Sequence, residues 1–304
     1  MASIALIVRC EGPPSALPGV LGPLRGDAGG ARVELFLAVD SVARAHEDSL
    51  AAARLPASWR AEVVPGGEGG AVAAVNGALA RSEADRVVLL DGACEPAEGL
   101  LAAHLAFHGR RAGALAAGNV RWRPDAVETP FMHWFAYRLH RFHVYAPGGP
   151  VPVAEVDAAH WSAPRELLAE ARFDPALRMF PVETAELLYR LGARGAQAFF
   201  LAEASAADTR RRTLVDFVKE QHRLGGALRD AFHRHGAAPP RALSERAGRE
   251  AAARPPWVLR ARPWLGMPDG PPEWAARGAH AFLAGLKGRA MPGESLAIGY
   301  GDDV

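Results

Sequence analysis

Cysteine is nearly absent: Cys10 and Cys94 are the only two in 304 residues. Two thiols cannot build the disulfide framework of a small secreted domain, so a reducing, cytoplasmic setting is expected. Charge bias is missing too. With 35 basic and 34 acidic residues the formal charge is +1, and no global field draws the chain to nucleic acid. No uncharged apolar run approaches the ~18 residues of a membrane-spanning helix. The opening MASIALIVRCEG has no basic leader and meets an acid quickly, so it reads as a first strand rather than a signal peptide. Contact with a membrane would therefore be peripheral. Internal repeats are lacking, and so is the G-x-S-x-G elbow of an esterase. Gly66–Gly70 is glycine-rich without the Gly-Lys-Ser/Thr of a phosphate loop, and reads as a flexible lead-in to the next helix. His104 and His108 share a helix face, but Leu105 stands where a zinc H-E-x-x-H motif needs its acid, so their expected role is structural.

What the chain does have is apolar bulk, 49% of its residues, enough for a substantial core. The apolar runs Ile4–Arg9, Val33–Val39, Ala61–Val64 and Arg86–Leu90 are continuous rather than alternating, as in parallel strands covered on both faces. Helical stretches separate them at Val42–Arg54, Ala71–Arg81 and Ala97–His108. Four prolines (Pro13, Pro14, Pro18, Pro23) keep any helix in the first crossover short. This alternation predicts an α/β fold, a doubly wound, mostly parallel sheet with right-handed crossovers. A further strand is expected after Ala112, and another at Gln197–Leu201. Helices are expected at Ser162–Ala171, with Ser162 as its cap, at Val182–Leu191, and at Thr213–His235 with a break at Gly225-Gly226. Thr129–Phe142 is aromatic and His-rich, a helix against the sheet or an acceptor-side wall. From Gly236 the sequence turns Pro- and Trp-rich with little periodicity. The expected organisation is a main domain at 1–235 and a C-terminal extension at 236–304.

Ligands of an open parallel sheet bind beyond the carboxyl ends of its strands. Those ends carry Glu11, Asp40 and Asp91. Cys10 and Cys94 end strands there as well, and read as small buried fillers.

The segment Gly70–His108 resembles the family-two glycosyltransferases. It offers a helix bearing Asn76, an apolar strand ending at Asp91, then Pro96, Leu100 and His104. A second segment, from Val156, resembles the family's acceptor region through Ser162, Arg165, Leu168, Phe173-Asp174, Glu183, Glu186, Leu187, Arg190, Leu191 and Gly195. A third, around ASAADTRRRTL, resembles the region that carries a metal-binding His and has Asp208 at that position. The resemblance spans about Ile4–His235 and implies a GT-A type fold, Rossmann-like and flanked by helices. It implies transfer of a sugar from a nucleotide-diphosphate sugar to a hydroxyl acceptor (saccharide, lipid-linked or peptide) with inversion.

Carried over residue by residue, the resemblance implies nucleotide-sugar contacts from Asp40, Asn76, Asp91 and the Ala93 position, with Arg211 as a phosphate-neutralising cation. It implies an acceptor side formed by His160, Trp161 and Glu186. A divalent ion, Mg2+ or Mn2+, would be held by Asp91 and Asp208. The base would come from Glu183 or the adjacent Thr184. Three departures mark the motifs as degenerate. Ala93 replaces the second acid of Asp-x-Asp, His160 replaces an Asn, and Thr184 replaces the Asp of Glu-Asp. Asp208 as ligand, Glu183 as base from one residue away, or Arg210, Arg211 and Arg212 as metal-free counter-charge would each compensate. A catalytically inactive relative that binds a ligand or partners another protein is the alternative. A nucleotidyltransferase is disfavoured, because no Gly-rich, Lys-containing signature follows the first strand.

Overall fold

The computed structural model describes residues 2–11, 17–26, 30–40, 43–139, 144–178, 180–234, 247, 249, 251–253 and 271–289. The chain divides into two compact units, Met1–Arg123 with His140–Arg210, and Pro124–Leu139 with Arg211–Val304.

The first unit holds every strand among the described residues: β1 Ser3–Cys10, β2 Arg32–Val39, β3 Trp59–Pro65, β4 Arg86–Asp91, β5 Cys94–Pro96, β6 Leu115–Trp122, β7 Pro150–Val151, β8 His160–Pro164 and β9 Ala198–Asp208. Its helices are α1 Leu17–Leu21, α2 Ala43–Ala52, α3 Gly70–Arg81, α4 Leu100–Arg110, α6 Arg165–Glu170 and α7 Val182–Ala193. The strands form one sheet in the order β3-β2-β1-β4-β8-β6-β9-β5, with β7 also on β9. The block β3-β2-β1-β4 is parallel, β8 runs against it, and β6 and β9 return to its direction. The expected α/β architecture is observed.

Both faces of the sheet are buried. Ile4, Leu6 and Val8 enter one core with α1 and α4, while Ala5 and Ile7 enter the other with α3 and α7. This is why the strands read as continuous apolar runs.

Several expectations are corrected. Ser162 does not cap a helix; it lies inside β8, and α6 starts at Arg165 behind Pro164. The run HWSAP is short and fully buried, and pairing with β4 and β6 outweighs the local cap signal. The strand expected at Gln197–Leu201 continues to Asp208, which is its last residue. Gly66–Gly70 is a tight 3-10 turn and not a loose lead-in: a Cβ on Gly66 would lie 1.8 Å from the Gly70 carbonyl oxygen.

In the second unit, α5 Pro130–Leu139, α8 Leu214–Arg234 and α9 Pro271–Leu286 pack together. The aromatic stretch spends its rings here. Phe131 and Trp134 lie 5.8 and 5.6 Å from Phe217, and 5.7 and 5.8 Å from Trp274, centroid to centroid. Thr213 and Asp216 form a capping box at the start of α8. The expected break at Gly225-Gly226 does not occur. The pair is where α9 crosses, and a Cβ on Gly225 would lie 2.1 Å from the Phe282 carbonyl oxygen. Backbone contact there offsets the ~1 kcal/mol that each helical glycine costs. Of the segment 236–304, only the residues named above fall within the described part.

His104 and His108 are structural, as expected. A buried chain runs from His160 Nε2 to His104 Nε2, from His104 Nδ1 to Ser162 Oγ, and on to His108 Nε2, each step 2.8 Å. Gly118 makes room for it, since a Cβ there would lie 2.2 Å from His160 Nδ1. Burial holds His108 and His160 down at about 4, helped at His108 by Arg86 and opposed at His160 by Asp157. Burial, then His160 and His108, also holds His104 well below the usual imidazole range. Groups with depressed imidazole values stabilise the fold above 6.5 and lose that contribution as pH falls toward 4. Urea unfolding is expected to lose about 3 kcal/mol for each of His108 and His160 over that window, and His108→Gln to flatten the slope.

Candidate functional site

Asp91 is the last residue of β4, at the carboxyl edge of the parallel block. Glu183 stands in the first turn of α7, where the helix N-terminus favours an acid. One cavity is lined by both, together with Arg9, Trp161, Phe180 and Thr184. The sequence thus separates by 92 positions two acids that the fold brings to one wall.

Arg9 is the ion-pair partner of Glu183. It is 8% exposed near the end of β1, and a buried guanidinium needs counter-charge. Its Nη1 donates to Glu183 Oε1, and its Nη2 donates to Glu11 Oε1 at 2.5 Å. Its guanidinium carbon also lies 4.6 Å from the Phe180 ring centroid. Burial nevertheless raises Glu183 to about 7, against the pull of Arg9. Three buried polar atoms of this lining have no hydrogen-bond partner: Arg9 Nε, Trp161 Nε1 and Glu183 Oε2. Such atoms are costly unless something supplies partners, and the cavity, of about 20 Å³, has room for about one water among them.

A second cluster lies at the end of β4. Pairing of β5 with β9 sets Asp208 opposite Cys94, and Thr209 donates to the Ala93 carbonyl through its backbone N–H at 3.0 Å and its hydroxyl at 2.9 Å. Arg210 Nη1 reaches Asp91 Oδ2 at 3.0 Å; its Nε and Nη2 fork onto Asp208 Oδ2 at 3.1 and 2.5 Å. The Ala93 backbone N–H holds the other Asp91 oxygen at 2.9 Å. Burial works against the charge on Arg210, but Asp91 and Asp208 outweigh it and hold the guanidinium firmly charged.

This arrangement does not fit a divalent ion at Asp91 and Asp208, because both carboxylates are already taken up by Arg210. Among the described residues no group of three His, Cys, Asp or Glu side chains could hold a metal. The two cysteines are free and buried, and burial followed by Asp91 pushes Cys10 up to about 12. They are inert fillers.

The remaining sequence candidates are dispersed. Asp40 is exposed just past β2, with Oδ1 3.0 Å from the Cβ position of Gly70. Asn76 spends its amide on the backbone of Phe173, donating to the carbonyl at 2.9 Å and accepting from the N–H at 3.2 Å. His160 is buried against His104, and Glu186 is held by Arg190 one turn away at 2.6 Å. Arg211 belongs to the second unit and pairs with Glu128 at 3.0 Å; its neighbour Arg210 is the one that meets the acids. Sequence reading passed over Arg9 and Phe180 as site residues. The usable signal for Arg9 was a lone charge inside an apolar strand, which requires a buried partner.

A mostly parallel sheet with acids at its carboxyl edge and an antiparallel strand inserted beside β4 is the GT-A type of fold. No protein-family model and no curated protein matches the sequence. Solved structures do. The crystal structure of GalNAc-T7 with UDP, GalNAc and Mn2+ is similar at a TM-score of 0.52 and 15% identity, over 73% of this chain and 48% of that one. The chain thus spans about half the length of GalNAc-T7. Residues 1–349 of S. aureus TarS in complex with UDP are similar at a TM-score of 0.51 and 12% identity, over 94% of this chain and 90% of that one. At these identities the likeness shows the fold.

The raised value of Glu183 has a testable sign. Between 4.5 and about 7 the folded chain keeps a proton that the unfolded chain releases, so stability falls as pH rises through 7. Glu183→Gln cannot ionise. Its melting temperature is expected to gain on the parent between pH 5 and pH 8, equivalent to up to about 3 kcal/mol.

Proposed function

We propose that this chain binds a nucleotide-diphosphate sugar at the carboxyl edge of β1, β2 and β4 and transfers the sugar to a hydroxyl acceptor with inversion. The observation that carries the reading is the shared cavity of Asp91 and Glu183, on a fold found in two UDP-bound glycosyltransferases. Asp40 and Asp91 would serve the donor side, with Arg210 rather than Arg211 as the cation nearest Asp91. Trp161 and Thr184 would line the acceptor side. Asn76, His160 and Glu186 are engaged within the protein and support that frame.

The chemistry requires one base. The acceptor oxygen attacks the anomeric carbon while the bond to the diphosphate breaks. The electron pair leaves on the diphosphate oxygen, and the hydroxyl proton passes to Glu183. A carboxylate raised to about 7 is well matched to that proton transfer near neutral pH. Thr184, in the adjacent position, has no proton-accepting capacity comparable to a carboxylate.

The acceptor, whether a saccharide, a lipid-linked group or a peptide, must offer a hydroxyl to Glu183. No helix among the described residues is long and apolar enough to cross a membrane, which is compatible with the proposed cytoplasmic setting and with peripheral contact. A binding or partner module is the second reading, favoured by Ala93 and Thr184 and by the hold of Arg9 on Glu183.

Calorimetric titration with UDP, followed by assay of UDP release from UDP-sugars, separates the readings. Binding with turnover that rises through pH 7, and that drops by about 10²–10⁴ in Glu183→Gln while UDP still binds, is expected for the transferase. Binding without turnover supports the second reading. No binding of UDP or other nucleoside diphosphates overturns both.

A further inference from the structure

We infer that Arg210 is the resident cation of this site. Its guanidinium takes the place between Asp91 and Asp208 where a divalent ion would sit, and the chain handles its nucleotide without Mg2+ or Mn2+. The part about the nucleotide rests on the function proposed above; the part about the cation does not.

Arg210 is tied just past the end of β9. Asp208 is fully buried at the end of β9 and also accepts the backbone N–H of Arg210 at 2.9 Å. The side chain turns back over the same carboxylate, so residues 208–210 form a closed clasp. All four carboxylate oxygens of Asp91 and Asp208 accept hydrogen bonds, three of them from Arg210. A hard divalent cation needs carboxylate oxygens as ligands and would have to break this clasp first. It would also sit beside a positive charge.

Ala93 fits the same account. Its methyl group offers no ligand, while its backbone braces both halves of the cluster, donating to Asp91 and accepting from Thr209. A third carboxylate there would add a negative charge to a cluster in which two acids already share one guanidinium.

The guanidinium is not exhausted by its two acids. It carries five N–H donors. Nε, one hydrogen on Nη2 and one on Nη1 go to the carboxylates, which leaves two for phosphate oxygens. The side chain is 22% exposed. Planar recognition of a phosphate by such a fork is the strength of arginine over lysine.

The test uses the full chain, with circular dichroism to confirm folding. Water-proton relaxation is measured on titration with Mn2+ alone, without nucleotide. The parent is expected to take up no Mn2+ at this pair. Arg210→Met is expected to open a site, with uptake at least about tenfold tighter, and Asp208→Asn on that background to abolish it. UDP titrations in EDTA and in Mn2+ form the second arm. The parent is expected to bind alike in both, while Arg210→Met weakens about tenfold or more in EDTA and Arg210→Lys falls between them. Mn2+ uptake by the parent that Asp208→Asn removes would overturn the inference. So would UDP binding by the parent that depends on Mn2+, or a folded Arg210→Met that takes up no Mn2+. Should the parent bind UDP in neither condition, the nucleotide reading falls, and the Mn2+ arm still decides the place of Arg210.

Discussion

Two arginines, each shared by a pair of carboxyl groups, hold the acids gathered at the carboxyl edge of the sheet. Arg9 reaches Glu183 and Glu11, and Arg210 reaches Asp91 and Asp208. Buried carboxylates are expensive unless paired and hydrogen-bonded, and an isolated one would take up a proton or disrupt its surroundings. Because both cations come from the chain itself, the edge can hold acids from β4, α7 and β9 without help from outside. The site is preorganised by the same contacts that make it tolerable to bury.

The two clusters differ in what they leave available. At Asp91 and Asp208 the carboxylate oxygens are hydrogen-bonded, and the guanidinium shared between them keeps N–H donors to spare. At Glu183 an acid oxygen, an indole N–H and a guanidinium N–H stand unpartnered around one cavity. A water or a single hydroxyl would meet that set. Under the proposed function, the first cluster would face the phosphorylated donor and the second would take the proton of the alcohol.

Much of the fold was legible in the chain. Strands covered on both faces must be apolar throughout, and β1, β2 and β4 stand out for that reason. The acids Asp91 and Glu183 were legible because a strand end and a helix start are places where a carboxylate has a reason to be. Partner choice was not. Nothing local says that Arg9 turns to a residue 174 positions away, or that Arg210 rather than Arg211 faces the acids. Ser162 shows the same limit, since its local pattern favours a cap while pairing with two strands makes it part of a buried sheet. Asn76 stands at the expected place on α3, yet its amide holds the Phe173 backbone, and that use is fixed by tertiary approach alone.

The crossing of α8 and α9 has its own implication. Gly225 and Gly285 let the two backbones touch, with the Cβ positions 2.1 and 2.0 Å from carbonyl oxygens of the facing helix. Around that point α9 covers Phe217, Leu224 and Leu228. A polypeptide shortened to end before residue 271 would uncover the part of α8 that α9 shields and leave a notch shaped for another close-fitting helix. Self-association, rather than loss of the sheet, is the failure such a shortened product invites.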